Sequence, residues 1–413
     1  MRVFYDTAQQ RVPIKAWLED VEPGALEQAM NLARLPFAVH HIALMPDAHQ
    51  GYGMPVGGVL AAKDHVIPNA VGVDIGCGMQ ARRTNIKAKS LAARSRDHGT
   101  VLKAVLSGIQ RNVPNGNGPG GSHKSAQSWE EGLANPEFAA LVDRAPDVLK
   151  KAWERGAYQL GTLGGGNHFL EVQEDEDGYV WIMLHSGSRA LGKEVCDYFN
   201  RIAREQNQRF YSSVPKEWQL AFLPLDSDEG REYVAWMRLC MLYAEENRKR
   251  MLNVALERLI EAVQVNQPDK ELEITESVDT HHNYATLENH FRENVFIHRK
   301  GSVRARAGEM VIIPGSMETG SYVGRGLGNK ESFETCSHGA GRRLSRTAAL
   351  KARTADDVLK SMRTKGIEIA KRSHKDVAEE AGHAYKDVHE VMTLQRDLVE
   401  PVYTLKPMGV VKG

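Results

Sequence analysis

Residues 168–189 read HFLEVQEDEDGYVWIMLHSGSR, and they set the class of fold. Two short apolar runs, FLEVQ and VWIMLH, read as strands. From about residue 190 to 265 the pattern turns helical, and VAWMRLCMLYAEENRKRMLNVALERLIEAV runs amphipathic with no internal Gly or Pro. Beyond it strands resume from about 271 to 325, with FIHRK and MVIIPG the clearest. A helical part is expected at about 354–396, before a terminal YTLKPMGVVKG. In the other direction, residues 23–35 predict a helix with Pro near its start. HIALM predicts a buried strand, and residues 51–79 are strand-like pieces broken by glycines. Residues 110–128 carry turn formers throughout and read as a mobile surface loop and candidate lid.

Segments rich in glycine and chemically loaded occur near residues 47–58, 72–78, 161–171, 185–189, 281–283, 314–321 and 338–342. No boundary parts a binding half from a catalytic half. Sites assembled from turns between strands along a whole chain imply one interwoven domain of mixed α/β (α+β) class over 1–413, with a helical insertion at about 190–265.

Apolar residues make up 42% and charged residues 26% of 413, as in ordinary globular proteins. The formal net charge is zero, which argues against nucleic-acid binding driven by bulk charge but leaves room for a local basic groove. Arg299, Lys300, Arg304 and Arg306 form one basic cluster in the sequence, and Arg342, Arg343 and Arg346 another. A basic face is expected to draw on Arg189, Arg304, Arg306, Arg342 and Arg346. Four cysteines in so long a chain, Cys77, Cys196, Cys240 and Cys336, do not make a disulfide framework. The first residues carry no long apolar run, and no segment approaches a membrane span. A soluble protein of the reducing cytoplasm is expected, with no membrane partner.

In Val71-Gly72-Val73-Asp74-Ile75-Gly76-Cys77-Gly78 a carboxylate and a thiol stand three residues apart between glycines, so the backbone can bend until both side chains meet. A hard oxygen with a soft sulfur suits Zn, Fe or Mn better than Ca or Mg, while a turn with a small buried Cys is the structural alternative. Three further segments set a histidine beside small or polar residues: Gly164-Gly165-Gly166-Asn167-His168-Phe169-Leu170-Glu171, Leu184-His185-Ser186-Gly187-Ser188-Arg189, and His281-His282-Asn283. A lone histidine of this kind is more often structural than a ligand. Several in one chain, alongside Asp74 and Cys77, point to a shared site. One Asp, one Cys and three His suffice for two metals with a common ligand, an arrangement suited to phosphoryl chemistry.

In Cys336-Ser337-His338-Gly339-Ala340-Gly341-Arg342 the histidine lies among small residues, so a bulky ligand can reach its ring. A neutral imidazole is a nucleophile toward phosphorus, and Arg342 could balance phosphoryl charge. Pro314-Gly315-Ser316-Met317, continuing to Gly320-Ser321, offers donors to a phosphate or base. Asp47 and His49 in Met45-Pro46-Asp47-Ala48-His49-Gln50 sit at a strand end, placed to support metal ligands or simply to turn the chain.

Taken together, VGVDIGCGM, GTLGGGNHF, LHSGSR, HHNY, PGSM and SHGAGR stand in the order found in the RtcB family of tRNA-splicing RNA ligases, which the chain resembles from about residue 30 to Gly413. MPDAHQGYGMPVGG and the terminal VKG resemble that family too. The resemblance implies central β-sheets flanked by helices, and two Mn²⁺ ions with GTP as co-substrate. It implies metal ligands at Asp74, Cys77, His168, His185 and His282, the last chosen over His281, and a nucleophile at His338. Contacts to GMP fall on Asn167, Glu171, Ser316, Ser321, Gly339, Tyr385 and Lys412, while Arg189, Arg342 and Asp47 match positions near the reacting centre. It implies joining of RNA 3′-phosphate or 2′,3′-cyclic phosphate ends to 5′-hydroxyl ends, in tRNA splicing or RNA repair, through a GMP–histidine and an RNA–GMP anhydride, with an archease-type activator in some relatives. Two other readings use the same residues: a metal-dependent phosphoesterase or nuclease, and a non-catalytic RNA-binding protein with a structural metal.

Overall fold

The computed structural model describes residues 1–413 apart from 96, 117–120 and 372–376. Two mostly antiparallel sheets carry the site, each with one parallel pair, Ile14–Ala16 with Ala38–Tyr52 and Glu368–Ala370 with Val399–Lys412. One is eight-stranded and runs Ile274–His281, Gly78–Lys87, Tyr179–Ser186, Phe169–Glu174, Val399–Lys412, Ser321–Gly326, Met310–Pro314, with Glu368–Ala370 paired to Val399–Lys412. Its outermost strands, Ile274–His281 and Met310–Pro314, pack against each other, so the sheet curls nearly into a barrel. The other is six-stranded and runs Arg2–Phe4, Ile14–Ala16, Ala38–Tyr52, Met54–Ala62, Glu293–Lys300, Asn283–His290. The chain passes from the first sheet to the second through His282 alone, between Ile274–His281 and Asn283–His290.

Register explains why the motifs meet. Gly78 pairs with both His281 and Ser186, His185 pairs with Phe169, and Phe169 pairs with Lys412. Cys77, His168, His185 and His282 therefore all stand at strand termini on one end of the curled sheet. Along Phe169–Glu174 the alternation of a strand turns Leu170 and Val172 into an apolar core, while Phe169, Glu171 and Gln173 take the other face.

The helix expected at 23–35 forms as Pro23–Ala33, with Pro in its first turn and Ala25, Ala29 and Leu32 on its buried side. The helical pattern at 190–265 is two helices, Arg189–Arg209 and Asp228–Gln264. Between them Pro215 and Pro224 allow only a 3-10 turn, Lys216–Trp218, and a short strand, Leu223–Pro224. The second helix has 37 residues and would be about 55 Å long. Ser227 caps it by accepting the Gly230 N–H at 3.0 Å. Its buried residues recur at helical spacing: Tyr233, Trp236, Cys240, Tyr243, Asn247, Met251, Ala255, Leu259, Val263. The first half packs with Val195 and Phe199, the second with Leu102, Val105 and Leu106 of Val101–Asn112.

Two expectations need correction. Among the described residues of 354–396, the α-helices are Ala355–Thr364 and Val388–Leu394. A strand, Glu368–Ala370, and two 3-10 turns lie between them, where Gly366 at φ +73° ends the first helix. The closing segment forms the 14-residue strand Val399–Lys412. Within 110–128, residues 110–112 finish the helix Val101–Asn112, and 117–120 lie outside the described residues. The rest is tied down, with Gly116 N–H on Gly121 O at 2.7 Å, His123 N–H on Tyr158 O at 3.0 Å and Gln127 N–H on Ala157 O at 2.8 Å. Among the described residues no helix is long and apolar enough to cross a membrane.

Nor is the cluster Arg299, Lys300, Arg304, Arg306 a basic face. Arg299 and Lys300 lie on a strand, Glu293–Lys300, that is covered on both sides. Arg299 is fully buried and paired with Glu288. Its remaining donors reach Phe333 O at 3.0 Å and Thr335 Oγ1 at 2.9 Å, which anchors the strand leading to His338. Arg304 is held by Glu309 and Arg306 by Glu334. Removing one partner of a buried pair leaves the other uncompensated, so Arg299→Met should lower unfolding free energy by about 3–5 kcal/mol. Urea denaturation of the variant checks this, and a loss within the range of exposed ion pairs would contradict it.

Candidate active site

One end of the curled sheet opens into a cavity of about 1010 Å³ that reaches across to the six-stranded sheet. Asp74, Cys77, His168, His185 and His282 line it together with His338, and Cys77, His185 and His282 are themselves buried. Cys77 Sγ stands 3.4 Å from His168 Nε2 and 3.3 Å from His185 Nε2. His185 Nε2 is 3.2 Å from His282 Nε2, and His168 Nε2 is 3.2 Å from Asp74 Oδ2. The donor atoms thus form two overlapping groups, Asp74–Cys77–His168 and Cys77–His185–His282, that share the sulfur. His281 turns away: its Nδ1–H donates to Gly76 O at 3.0 Å. Glycine is demanded at position 187, where a Cβ would collide with the Asp74 carboxylate.

The protonation states suit a cation. His185 Nδ1–H donates to Asn167 O at 3.1 Å, which leaves the Nε2 lone pair facing the thiol. His168 Nδ1 is 3.1 Å from Leu163 O, ready to do the same. Burial, reinforced by neighbouring His168 and His338, pushes His185 well below the usual imidazole range. Burial and the Asp74 charge push the Cys77 thiol well up. Burial works to raise Asp74 too, but the hydrogen bond and charge of His168 hold it at about 2. His282 Nδ1 is buried without a hydrogen-bond partner. Imidazoles that burial keeps neutral at His185 and His282, a carboxylate, and a thiol that only a nearby cation would ionise fit a divalent metal, and the mixed O, N and S set suits a transition metal.

His338 sits beside this group, its ring 4.9 Å from that of His282. It follows the strand Thr335–Ser337, which pairs with Ser302–Arg304. Behind it, Asp47 is buried and accepts the His338 Nδ1–H at 2.6 Å and the His338 backbone N–H at 3.2 Å. The carboxylate fixes the tautomer, so Nε2 keeps its lone pair. Lys386 donates to Pro46 O and Ala48 O at 2.9 and 2.8 Å, on either side of Asp47, and so steadies the support.

Farther along the wall lie Asn167, Glu171, Ser316, Ser321, Gly339, Tyr385 and Lys412. Gln173 Nε2 donates to Glu171 Oε2 at 2.6 Å and to Ser321 Oγ at 3.1 Å, and Lys412 Nζ donates to Gly166 O at 3.0 Å. Burial pushes Glu171 up to about 7, against the Gln173 hydrogen bond and the Lys412 charge.

Two arginines near the centre are engaged by protein groups. Arg342 lines the cavity, but its donors go to Glu380 Oε1 at 3.1 Å, Glu379 O at 2.8 Å and Leu344 O at 3.1 Å. Arg189 stands behind the wall, 3.2 Å from His168 Nδ1 and 3.3 Å from Thr162 Oγ1. Sequence reasoning missed Glu380, which also takes the Tyr385 hydroxyl, and Lys386. Neither belongs to a glycine-flanked motif, and both lie near residues 377–386, in a region expected to be helical.

A family model described as tRNA-splicing ligase RtcB matches residues 28–413. The RNA-splicing ligase RtcB of Escherichia coli (strain K12) is 38% identical over 415 residues, covering 98% of this chain and 98% of its own. The tRNA-splicing ligase RtcB of Thermococcus kodakarensis is 35% identical over 470, covering 98% and 95%. The RNA-splicing ligase RtcB homolog 1 of Entamoeba histolytica is 34% identical over 459, covering 95% and 85%.

Because the sulfur is common to both donor groups, Cys77→Ala should abolish Mn²⁺ uptake at both positions, whereas His282→Ala should spare the Asp74–Cys77–His168 position. Elemental analysis of the purified proteins gives the stoichiometry, and unchanged metal content in Cys77→Ala would refute a shared sulfur.

Proposed function

Because the chain belongs to the RtcB family, we propose that it is a GTP- and Mn²⁺-dependent RNA ligase, its whole length forming one ligase domain, in which His338 carries GMP. The observation that carries this reading is the Asp47–His338 pair at 2.6 Å, which presents a bare imidazole nitrogen beside the donor cluster.

His338 Nε2 attacks the α-phosphorus of GTP; a P–N bond forms, the P–O bond to the β-phosphate breaks, and pyrophosphate leaves. Asp47 keeps the proton on Nδ1 and stabilises the positive charge that develops on the ring. An oxygen of the RNA 3′-phosphate then attacks the same phosphorus. The P–N bond breaks, His338 is restored, and the RNA end becomes an RNA–GMP anhydride. Last, the 5′-hydroxyl oxygen attacks the RNA phosphorus, loses its proton, and expels GMP. The activation is needed because a bare 3′-phosphate cannot expel oxide. A 2′,3′-cyclic phosphate is first opened by water. Asp74, Cys77, His168, His185 and His282 would hold Mn²⁺, which offsets phosphate charge when bound. We place the protein in a reducing cytoplasm, where Cys77 stays a thiol, with an archease-type protein as candidate activator. A phosphoesterase built on the same ligands would have no use for Glu171, whose carboxylate matches the two donors of a guanine edge.

Incubation with α-labelled GTP and Mn²⁺ should give a protein adduct labile to acid and stable to alkali. His338→Ala should lose the label and keep the fold, and full labelling of that variant would sink the assignment.

The position of Glu171 near 7 gives a second test. Guanine N1–H and N2–H₂ need an acceptor, and a protonated carboxyl gives up one acceptor oxygen to an O–H. Only the ionised form binds well, and it prevails as pH rises above about 7. GTP should therefore bind about tenfold more tightly at pH 8 than at pH 6, and Glu171→Gln should be weaker and flat with pH. Calorimetric titration at the two pH values decides it; a slope that persists in Glu171→Gln would assign the titration elsewhere.

A further inference from the structure

The long helix Asp228–Gln264 touches no nucleotide-binding position, yet its middle is built into the floor of the donor cluster. Asn247 and Arg248 are both fully buried there. Arg248 Nη1 donates to Gly76 O at 3.0 Å, within the Asp74–Cys77 loop, and to Ser186 O at 3.1 Å, one residue after His185. Its Nη2 reaches Asp279 Oδ1 at 3.3 Å, on the strand that ends at His281. Asn247 Oδ1 accepts the Gly161 and Thr162 N–H groups at 2.7 and 3.0 Å. Its Nδ2 is shared among Thr162 O, Ser186 Oγ and Gly187 O at 3.1–3.2 Å. Those two side chains thus tie together every segment that supplies a ligand.

The packing beneath them points the same way. A Cβ at Gly78 would strike the Thr280 carbonyl oxygen at 2.1 Å and come 3.1 Å from the Arg248 guanidinium carbon, so the glycine next to Cys77 is required by the neighbouring strand and also leaves room for the guanidinium. One heptad earlier on the helix, Gly76, at φ +72°, lies so close that a Cβ would stand 2.7 Å from Met241 Cα. The loop between two ligands rests directly on the helix backbone.

We infer that Asn247 and Arg248 are positioning residues for the metal centre, acting through Gly76, Thr162 and Ser186 to hold the ligand-bearing turns at metal-binding separation. The inference rests on the metal reading given above. Arg248 provides fixed, forked donors where a lysine would provide a single point charge. Supporting hydrogen bonds of this kind are worth about ten- to a hundredfold in metal affinity.

The test compares three variants of the full chain. Arg248→Met removes the donors and keeps the volume, and Asn247→Asp keeps the acceptor and loses the donors. Leu259→Ala, on the same helix but in another apolar cluster, controls for simple destabilisation. Thermal midpoints and Mn²⁺ dissociation constants are measured for each, with the Cys77-to-Co²⁺ charge-transfer band as a signature of ligand geometry. Arg248→Met and Asn247→Asp should weaken Mn²⁺ binding by about ten- to a hundredfold and shift the band. Leu259→Ala should lose thermal stability and change neither. If the Arg248 variant does not fold, Asn247→Asp decides the matter alone. Unchanged affinity in the folded Asn247 or Arg248 variant, or an equal loss in Leu259→Ala, overturns the inference while the metal reading stands. A wild-type protein that takes up no Mn²⁺ overturns both.

Discussion

The sulfur of Cys77 stands 3.4 and 3.3 Å from Nε2 of His168 and His185, and His185 Nε2 stands 3.2 Å from that of His282, in a cavity between two sheets. Gathering so many polar side chains at one point away from water is costly unless each finds a partner. An arrangement of this sort does not arise from side-chain preference; the backbone has to impose it. Here strand register imposes it, by ending four strands of a curled sheet at one level. The glycines at 76, 78 and 187 permit it, because each lies where a methyl group would strike a neighbour. The stability of the surrounding apolar core is what keeps the ligands together until a cation relieves them.

Charge around the cavity follows a different logic. The chain as a whole is neutral, and the cations that line the pocket are mostly spoken for: Arg342 by Glu380, Lys300 by the Tyr52 and Asn69 carbonyls, Lys386 by the carbonyls beside Asp47. They act as braces for backbone as much as attractors of phosphate. Arg343 and Arg346 are the exposed cations of the lining, and Arg346 leans on Glu379 and Glu380.

How much of this could be read beforehand depended on the kind of residue. The clustering of Asp74, Cys77, His168 and His185 was legible because each sits close to a glycine near a strand end, where local sequence and site chemistry coincide. The orientation of His282 rather than His281 came only from resemblance, since adjacent residues differ by nothing but the face they take. Arg299 and Lys300 were misread as surface charge because linear clustering says nothing about a strand covered on both sides. The described residues 377–387 were misread as helix because their short turns are set by tertiary contacts, with Glu380 drawn in by Arg342 and Tyr385. Asn247 and Arg248 were invisible for a related reason: in a helix of alternating charge, two more polar residues look like solvated surface until the turns they hold are in place.

The strand Val399–Lys412 lies in the interior of the eight-stranded order, between Phe169–Glu174 and Ser321–Gly326. It pairs Lys412 with Phe169, far apart in sequence, and it follows in translation every strand that it joins. During synthesis the sheet must therefore exist as two unfinished pieces with open inner edges, each ready to pair with any extended chain nearby. Closure waits for the segment that inserts between them, and the curled sheet is completed in the same event that brings Lys412 to the cavity wall. A ribosome paused shortly before residue 399 would leave a nascent chain with Asp74, Cys77, His168, His185 and His282 all made and no finished pocket to hold them.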